Sequence, residues 1–204
     1  MALANYADLG TSVAAWTHRS DLTSIIPDFV TMAEARIARD LRLRKQITTS
    51  TLTTVAATQS VALPTDWLEF ENVSVALTPE RQLTYVPIEH MDSIYPSGSG
   101  NSSPIVYTIE GDNILFGPVP DTAYTVNIVY YSRFASLITS STNWLMTNHP
   151  NIYLFAVLIE AYTYLQDKEQ SGVYAQRYMQ ELAQLQFVDD RSARSGSALR
   201  VRAV

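Results

Sequence analysis

Apolar residues recur with a helical period at both ends of the chain and alternate with polar residues through its middle. Two helices are predicted near the N-terminus, the first capped by Asn5 and the second beginning at Pro27. Toward the C-terminus, Pro150 begins a helix whose residues 152–165 are apolar on nearly every face, which predicts burial on all sides. A final helix carries a single apolar stripe, formed by Tyr174, Tyr178, Leu182, Leu185 and Val188.

The middle of the chain has the two-residue period of β-strands. Residues 47–55 are rich in threonine and serine, and residues 70–86 have the pattern of a hairpin. A second hairpin is expected to turn at Gly111, and residues 124–130 alternate as a half-buried strand. A short helix is predicted at residues 88–94. We therefore expect an antiparallel β unit of five or six strands.

These elements predict an α+β fold in which the N- and C-terminal helices form one helical bundle and an antiparallel β domain is inserted between them. No periodicity follows Asp190, so the last residues are expected to be disordered in the free monomer. The predicted bounds are residues 1–45 with 142–190 for the bundle, 46–141 for the inserted domain and 191–204 for a flexible C-terminal arm.

The composition predicts a soluble protein without thiol chemistry. Apolar residues make up 47% of the chain, enough to build a core, and only 17% are charged. Few charges are typical of surfaces that meet other proteins, although an ordinary aromatic core explains the twelve tyrosines and three tryptophans equally well. The sequence lacks cysteine, which rules out disulfides and thiolate sites. It also lacks a signal peptide and any apolar run near the ~18–20 residues of a membrane span. We therefore expect synthesis in a cytoplasm and no membrane partner.

Charge is distributed unevenly along the chain. Residues 1–45 carry a net charge of +1, residues 46–141 of −7, residues 142–190 of −4 and residues 191–204 of +4. Phosphate contacts need lysine and arginine. The acidic middle therefore argues against a grip on nucleic acid by that region.

Candidate catalytic groups are scattered. His18, His90 and His149 belong to no metal-binding spacing, no serine has the nucleophile-elbow pattern, and the glycines near residue 98 lack a phosphate-loop lysine. We therefore expect no enzyme activity, no metal and no cofactor. A hydrolase or carbohydrate-binding component that uses the aromatic β unit remains as a further hypothesis.

A basic cluster closes the second helix and consists of Arg36, Arg39, Arg42, Arg44 and Lys45. A nucleic-acid-binding accessory module could use it to contact phosphates. A structural role is favoured, because cations at a helix C-terminus complement the macrodipole and can pair with Glu34 or Asp40. The cluster could also meet an acidic surface of a neighbouring subunit.

The C-terminal residues alternate arginines with small and aliphatic side chains. A solvated tail is one interpretation, and an arm that folds on docking to a partner is the other. The residues that would carry such an interface are Arg191, Arg194, Leu199, Arg200, Val201, Arg202 and Val204.

Four stretches of the sequence carry an ordered set of motifs: residues 22–42, residues 63–68, residues 104–118, and residues 130–131 with 143–154. Together they resemble the head-to-tail adaptor family of short-tailed and related phages, the tail-tubular-protein-A-like connectors. Residues 22–42 resemble the family's second helix, with its I-P-x-F-I and A-E-x-R-I-x-R-x-L-R signature. Residues 63–68 are similar to its L-P-x-D-[FWY] segment, and residues 104–118 to its hairpin P-x-x-Y-x-I-x-G-x-x-[IL]-x-[FL]-x-P. Tyr130-Tyr131 and residues 143–154 resemble the run that leads into the buried helix. The likeness covers residues 5–190.

The resemblance implies a helical bundle with an inserted β domain and no catalytic residues. It implies a virion protein of the neck and tail, assembled in the host cytoplasm as a ring of twelve copies. The partners would be the portal protein above and tail or nozzle proteins below, with DNA passing through without specific binding. The C-terminal arm and the basic residues Arg36, Arg39 and Arg42 then become candidates for the portal or subunit interface.

The acidic middle suggests a further hypothesis about such a conduit. A wall that repels phosphate weakly would let DNA pass instead of binding it. The residues expected to face the channel or an acidic rim are Glu69, Glu71, Glu80, Glu110 and Asp112, with Glu89, Asp92 and Asp121 as further members.

Overall fold

The chain divides into two compact units in a computed structural model that describes residues 3–96 and 100–194, with side chains up to Ser192. One unit comprises Met1–Arg44 with Phe134–Val204 and is called the helical unit. The other comprises Lys45–Arg133 and is called the β unit. The fold is α+β with helices at both ends, as the sequence predicts.

The helical unit contains six of the helices in the described residues. They are α1 (Tyr6–Thr17), α2 (Ile26–Asp40), α4 (Leu137–Ser140), α5 (Trp144–Asn148), α6 (Pro150–Tyr164) and α7 (Lys168–Arg194). The predicted cap of α1 is confirmed, because the Asn5 side chain accepts a hydrogen bond from the Asp8 N–H at 3.0 Å. Pro150 begins α6 as expected, whereas Pro27 is the second residue of α2. Proline has no backbone N–H. Neither proline costs its helix a hydrogen bond, because the N–H groups of the first turn have no partner within the helix.

The core of the helical unit surrounds α6. Eight of its fifteen residues are buried, including the fully buried Val157 and Leu158, which confirms the predicted burial on all sides. Phe29 of α2 and Tyr178 of α7 belong to the same apolar cluster. Residues distant in sequence thus form one core, since the N- and C-terminal helices pack on the same buried helix.

A short 3-10 helix (Arg44–Gln46) leads into the β unit, whose described residues form eight strands and one α-helix. They are β1 (Ile47–Thr53), β2 (Ser60–Ala62), β3 (Trp67–Val75), β4 (Arg81–Gln82), β5 (Thr84–Tyr85), α3 (Ile88–Ile94), β6 (Val106–Glu110), β7 (Asn113–Gly117) and β8 (Thr125–Ser132). One sheet has the order β1-β8-β3-β4 and the other β2-β7-β6-β5. Apolar residues from both sheets, such as Ile128 of β8 and Phe116 of β7, form a shared core.

Two features of the β unit differ from the expectation. The strands number eight and not five or six, because β2, β4 and β5 have only two or three residues and are too short to show periodicity. The predicted hairpin over residues 70–86 is formed only by β3 and β4. Thr84 and Tyr85 instead pair in parallel with β6 in the second sheet, so the unit is not purely antiparallel.

Glycine is required at two positions of the hairpin formed by β6 and β7. Gly111 turns it with φ +57°, a left-handed conformation that side chains with a Cβ disfavour. At Gly117 a Cβ would lie 2.8 Å from the Tyr95 ring and 2.9 Å from the Val106 side chain. The first glycine serves the turn, and the second serves the close packing of its neighbours.

The structure differs from the predicted bounds of the domains in two segments. Residues 134–141, assigned by pattern to the β insertion, belong to the helical unit, where Leu137 is fully buried. Helix α7 continues to Arg194, past Asp190, so Arg191 is helical. The rest of the predicted flexible arm, residues 195–204, lies outside the described residues. None of the helices in the described ranges is both long enough and apolar enough to cross a bilayer.

Candidate interaction surfaces

Arg36, at the start of the predicted basic cluster, joins two helices of the core. Its Nη2 lies 2.5 Å from Glu160 Oε1 of α6, and its Nε lies 3.2 Å from the same oxygen. The Glu160 side chain is only 13% exposed. A carboxylate this far from water needs a charged partner, so Arg36 is held by a structural ion pair.

Arg42 and Arg39 lie at the C-terminal end of α2. The Arg42 guanidinium donates from Nη1 to the Ala38 and Leu41 carbonyls, at 2.6 and 2.8 Å. These carbonyls are among those that a helix end leaves without intrahelical donors. Arg39 is mostly exposed and pairs with its neighbour Asp40 at 3.3 Å. The favoured structural interpretation of the cluster is therefore supported by the contacts of Arg36 and Arg42.

Arg44 connects the end of the basic cluster to α7. Its backbone N–H donates to Asp189 Oδ2 at 3.0 Å, and its Nε lies 3.3 Å from Asp189 Oδ1. Its Nη2 also donates to the Ser192 hydroxyl. This pair anchors the last turns of α7 against the segment that follows α2.

A groove of about 310 Å³ lies beside the Arg44 anchor, within the helical unit. Its apolar lining comes from Leu43, Trp144, Leu185 and Val188, and its polar lining from His149, Glu181, Gln184, Asp189 and Ser192. The Trp144 ring stacks on Phe134 and also contacts the His149 ring at a tilted angle. The groove thus combines an aromatic wall with carboxylates along α7.

The outward face of α7 is uncharged over several turns and carries three exposed apolar side chains. Val173, Met179 and Phe187 are exposed on it, Phe187 to 67% and Met179 to 62%. The residues between them on this face are the neutral Gln176, Gln180 and Ala183. Exposed large apolar side chains on a face without charge are typical of surfaces that meet another protein.

The five acidic residues predicted to face a channel or rim are all exposed in the β unit. Glu69 and Glu71 lie on β3, and Glu110 and Asp112 flank the turn at Gly111. Glu80 Oε1 accepts hydrogen bonds from the Ser74 hydroxyl at 2.6 Å and from Asn127 Nδ2 at 3.0 Å. These two bonds, the Ser74 bond first, hold the pKa of Glu80 below its usual value.

Two other carboxylates of the β unit also accept from neutral donors. Asp66 accepts from the Tyr130 hydroxyl at 3.0 Å, and Asp121 accepts from the Tyr124 hydroxyl at 2.7 Å. Burial, followed by the bond to Asp66, raises the pKa of Tyr130 to about 12. A hydroxyl donor brings no positive charge, so these bonds leave the negative charge of the carboxylates in place.

The predicted interface residues are thus distributed over several surfaces. Arg191 is exposed on the last turn of α7, and Arg194 ends that helix. Leu199, Arg200, Val201, Arg202 and Val204 lie outside the described residues. The carboxylates belong to the β unit, whereas the four arginines of the basic cluster belong to the helical unit and its Lys45 is the first residue of the β unit.

Sequence reasoning missed the groove. Its residues are brought together from the segment after α2, from α5 and from α7, and no spacing in the sequence connects them. One signal was available, because the predicted apolar stripe of α7 extends to Val188, which the structure leaves 59% exposed. Within the described ranges, no group of three or more histidine or acidic residues could hold a metal ion.

Comparison with known proteins identifies one family for almost the whole chain. Residues 4–202 match the SU10 adaptor protein family, so the match spans both units and all the described helices and strands. The chain therefore belongs to the SU10 adaptor protein family. This membership indicates a phage adaptor, a structural component of the virion neck. A search of curated proteins gave no match.

Proposed function

We propose that this protein is a head-to-tail adaptor of the tail-tubular-protein-A-like kind. Twelve copies would form a ring between the portal and the tail or nozzle proteins, and DNA would pass through that ring. The observation that carries the proposal is the family match over residues 4–202, which leaves no unit of the chain outside an adaptor. The adaptor is not an enzyme in this proposal and takes no cofactor.

The outward face of α7 supports contacts between neighbouring copies. Met179 and Phe187 expose large apolar side chains there, and no charged residue lies between them on that face. Interface centres are poor in charge because burying an unpaired charge is costly. We therefore assign this face to the contact with the next copy in the ring.

The β unit supports a passage that does not hold DNA. It carries nine acidic residues and three basic ones, and the predicted channel or rim residues Glu69, Glu71, Glu80, Glu110 and Asp112 are exposed. Several of its carboxylates take neutral partners, which preserves the negative field. Such a field repels phosphate and shortens the residence of DNA on the wall.

The portal contact is assigned to the C-terminal arm and to Arg39. Arg36 and Arg42 are engaged inside the helical unit, and this argues against a portal role for them. Arg39 is 71% exposed, and Arg191 is exposed at the base of the arm. Arginine beside aliphatic residues, as in residues 199–204, is a composition suited to anchoring on a partner.

The decisive experiment mixes the purified protein with rings of the portal protein from the same phage. Electron microscopy should show a stoichiometric second ring on the portal. The double variant Met179→Glu/Phe187→Glu should bind the portal without closing a ring. The variant Gln170→Glu, which adds one charge near the start of α7 and off that face, should assemble normally. Absence of any portal complex with the unaltered protein would refute the proposal.

A further inference from the structure

The apolar stripe of α7 is longer than the surface that covers it. Along the stripe the exposed fraction rises from 2% at Tyr178 and 4% at Leu182 to 8% at Leu185 and 59% at Val188. Val188 thus ends the stripe as part of the lining of the groove, which also includes the half-buried Trp144. An aliphatic side chain placed in the groove would complete the burial that the stripe begins.

The polar edge of the groove is acidic. Glu181 makes no side-chain hydrogen bond or ion pair with any other residue in the described ranges, and Asp189 shares its charge with Arg44. The groove therefore favours an occupant that alternates aliphatic and basic side chains.

One segment of this chain, residues 199–204, has that pattern and follows the last groove residue, Ser192, by seven positions. The order Leu199-Arg-Val-Arg-Ala-Val204 alternates aliphatic and arginine residues over its first four positions. It is joined to α7 through Ser195-Gly196-Ser197-Ala198, and glycine just after a helix is the residue best suited to reverse the chain. Ser192, the last described side chain, itself lines the groove.

The lengths also agree. From Glu181 to Ser192 the helix rises about 17 Å at ~1.5 Å per residue. A stretch of six residues, such as 199–204, can reach at most about 20 Å at ~3.3 Å per residue. After a reversal at Gly196, the segment would cover the groove from end to end.

We propose that residues 199–204 dock into the groove of their own chain in the free protein. Leu199 and Val201 would contact Trp144 and Val188, and the arginines would approach Glu181. The short connection gives the chain's own segment a high effective concentration at the groove. The proposal concerns the arm that the proposed function assigns to the portal, but it does not depend on that assignment, because it is tested with no portal present.

The first test uses a variant that ends at Arg194 and a labelled peptide of residues 195–204. Fluorescence anisotropy should show that the peptide binds the truncated chain and binds the full chain far more weakly, since the full chain's own segment occupies the groove. The Trp144 emission should shift to longer wavelength on truncation and return when peptide is added. A Trp144→Phe background should remove that shift. No binding to the truncated chain, or equal binding to both chains, would refute the proposal.

The second test changes the charge of the groove. Glu181→Lys in the truncated chain should weaken peptide binding roughly tenfold, and a peptide with Arg200→Glu and Arg202→Glu should recover affinity for that variant alone. Glu169→Lys, on the same helix but outside the groove, is the matched control and should bind like the parent. Circular dichroism checks that each variant keeps its helices. Equal effects of the two lysine variants would count against the assigned site.

The third test separates the chain's own segment from that of a second copy. Sedimentation of the full chain over a hundredfold range of concentration should give the monomer throughout, with the Trp144 emission unchanged. Association that requires residues 195–204 and that shifts the Trp144 emission with concentration would show exchange of the segment between copies. That result would overturn intramolecular docking.

Discussion

Carboxylates have different partners in the two units. In the helical unit Glu160 and Asp189 are paired with Arg36 and Arg44, although Glu34 accepts from a neutral donor, the Leu137 N–H. In the β unit Glu80 accepts from a serine and an asparagine, and Asp66 and Asp121 accept from tyrosines. The two ion pairs hold segments of the helical unit together and neutralise their carboxylates. The hydrogen bonds of the β unit orient its carboxylates without neutralising them.

The difference shows how one chain can be cohesive in one region and negatively charged in another. An ion pair between packed helices orients both side chains but leaves little net field. A hydroxyl or amide donor orients a carboxylate equally well without cancelling its charge. This arrangement is consistent with the proposed repulsion of DNA by the β unit, because its carboxylates are oriented and keep their charge.

The largest expected effect on stability comes from the two apolar cores, and it tests whether a buried side chain contributes equally to each. Leu158→Ala in α6 and Ile128→Ala in β8 each remove a fully buried side chain, so each should lower the free energy of unfolding by about 2–5 kcal/mol. Urea unfolding followed by circular dichroism and tryptophan emission measures both. Met179→Ala, on an exposed side chain, should change stability by no more than about 0.5 kcal/mol. If Leu158→Ala resembled Met179→Ala, the burial assigned to α6 would be wrong.

The next effect tests the ion pairing in the helical unit. Arg36→Met leaves the Glu160 carboxylate largely buried without its cation and should cost about 1–3 kcal/mol in unfolding free energy. Glu160→Gln in the same background should recover part of the loss, since no unpaired charge remains. A double-mutant cycle from urea unfolding gives the coupling energy. A coupling energy near zero would show that the pair contributes no more than an exposed ion pair. The ion pairs would then not distinguish the helical unit from the β unit.

A smaller effect is expected for a neutral donor in the β unit. Tyr130→Phe removes the hydroxyl that donates to Asp66 and should cost about 0.5–1.5 kcal/mol near neutral pH. Burial, with the Asp66 bond, raises the pKa of Tyr130 to about 12, so its contribution is complete below the unfolded value near ~10 and is lost as pH rises through 12. Thermal unfolding from pH 8 to 12 should show a steeper alkaline loss in the parent than in the variant. Tyr85→Phe, at an exposed tyrosine, should keep the parent's profile.

The smallest effect concerns Glu80. Hydrogen bonds from Ser74 and Asn127 hold the pKa of Glu80 low, so its contribution is present above the unfolded value and is lost as pH falls through the lower folded value. Glu80→Gln should therefore flatten the fall of Tm on acidification below about pH 5. Glu110→Gln, at an exposed strand end, should leave that slope unchanged. Equal slopes for the parent and both variants would show that Glu80 is not held by its partners.

Much of the fold was predictable because helix and strand signals are local. The cap at Asn5, the start of α6 at Pro150 and the turn at Gly111 depend on residues within a few positions of each other. The short strands β2, β4 and β5 were not, because two or three residues carry no period. Of the candidate site residues, Arg42 does what a cation at a helix end is expected to do.

The sequence by itself determined the class of fold, the limits of most long elements and the uneven distribution of charge. Each of these depends on periodicity or composition, which neighbouring residues define. The tertiary structure alone decided which partner each charge meets. Arg36 and Glu160 are 124 positions apart, and Arg44 and Asp189 are 145 apart, so only packing can bring them together. The same packing leaves Val188 uncovered beside Trp144, because the groove exists only where three distant segments meet.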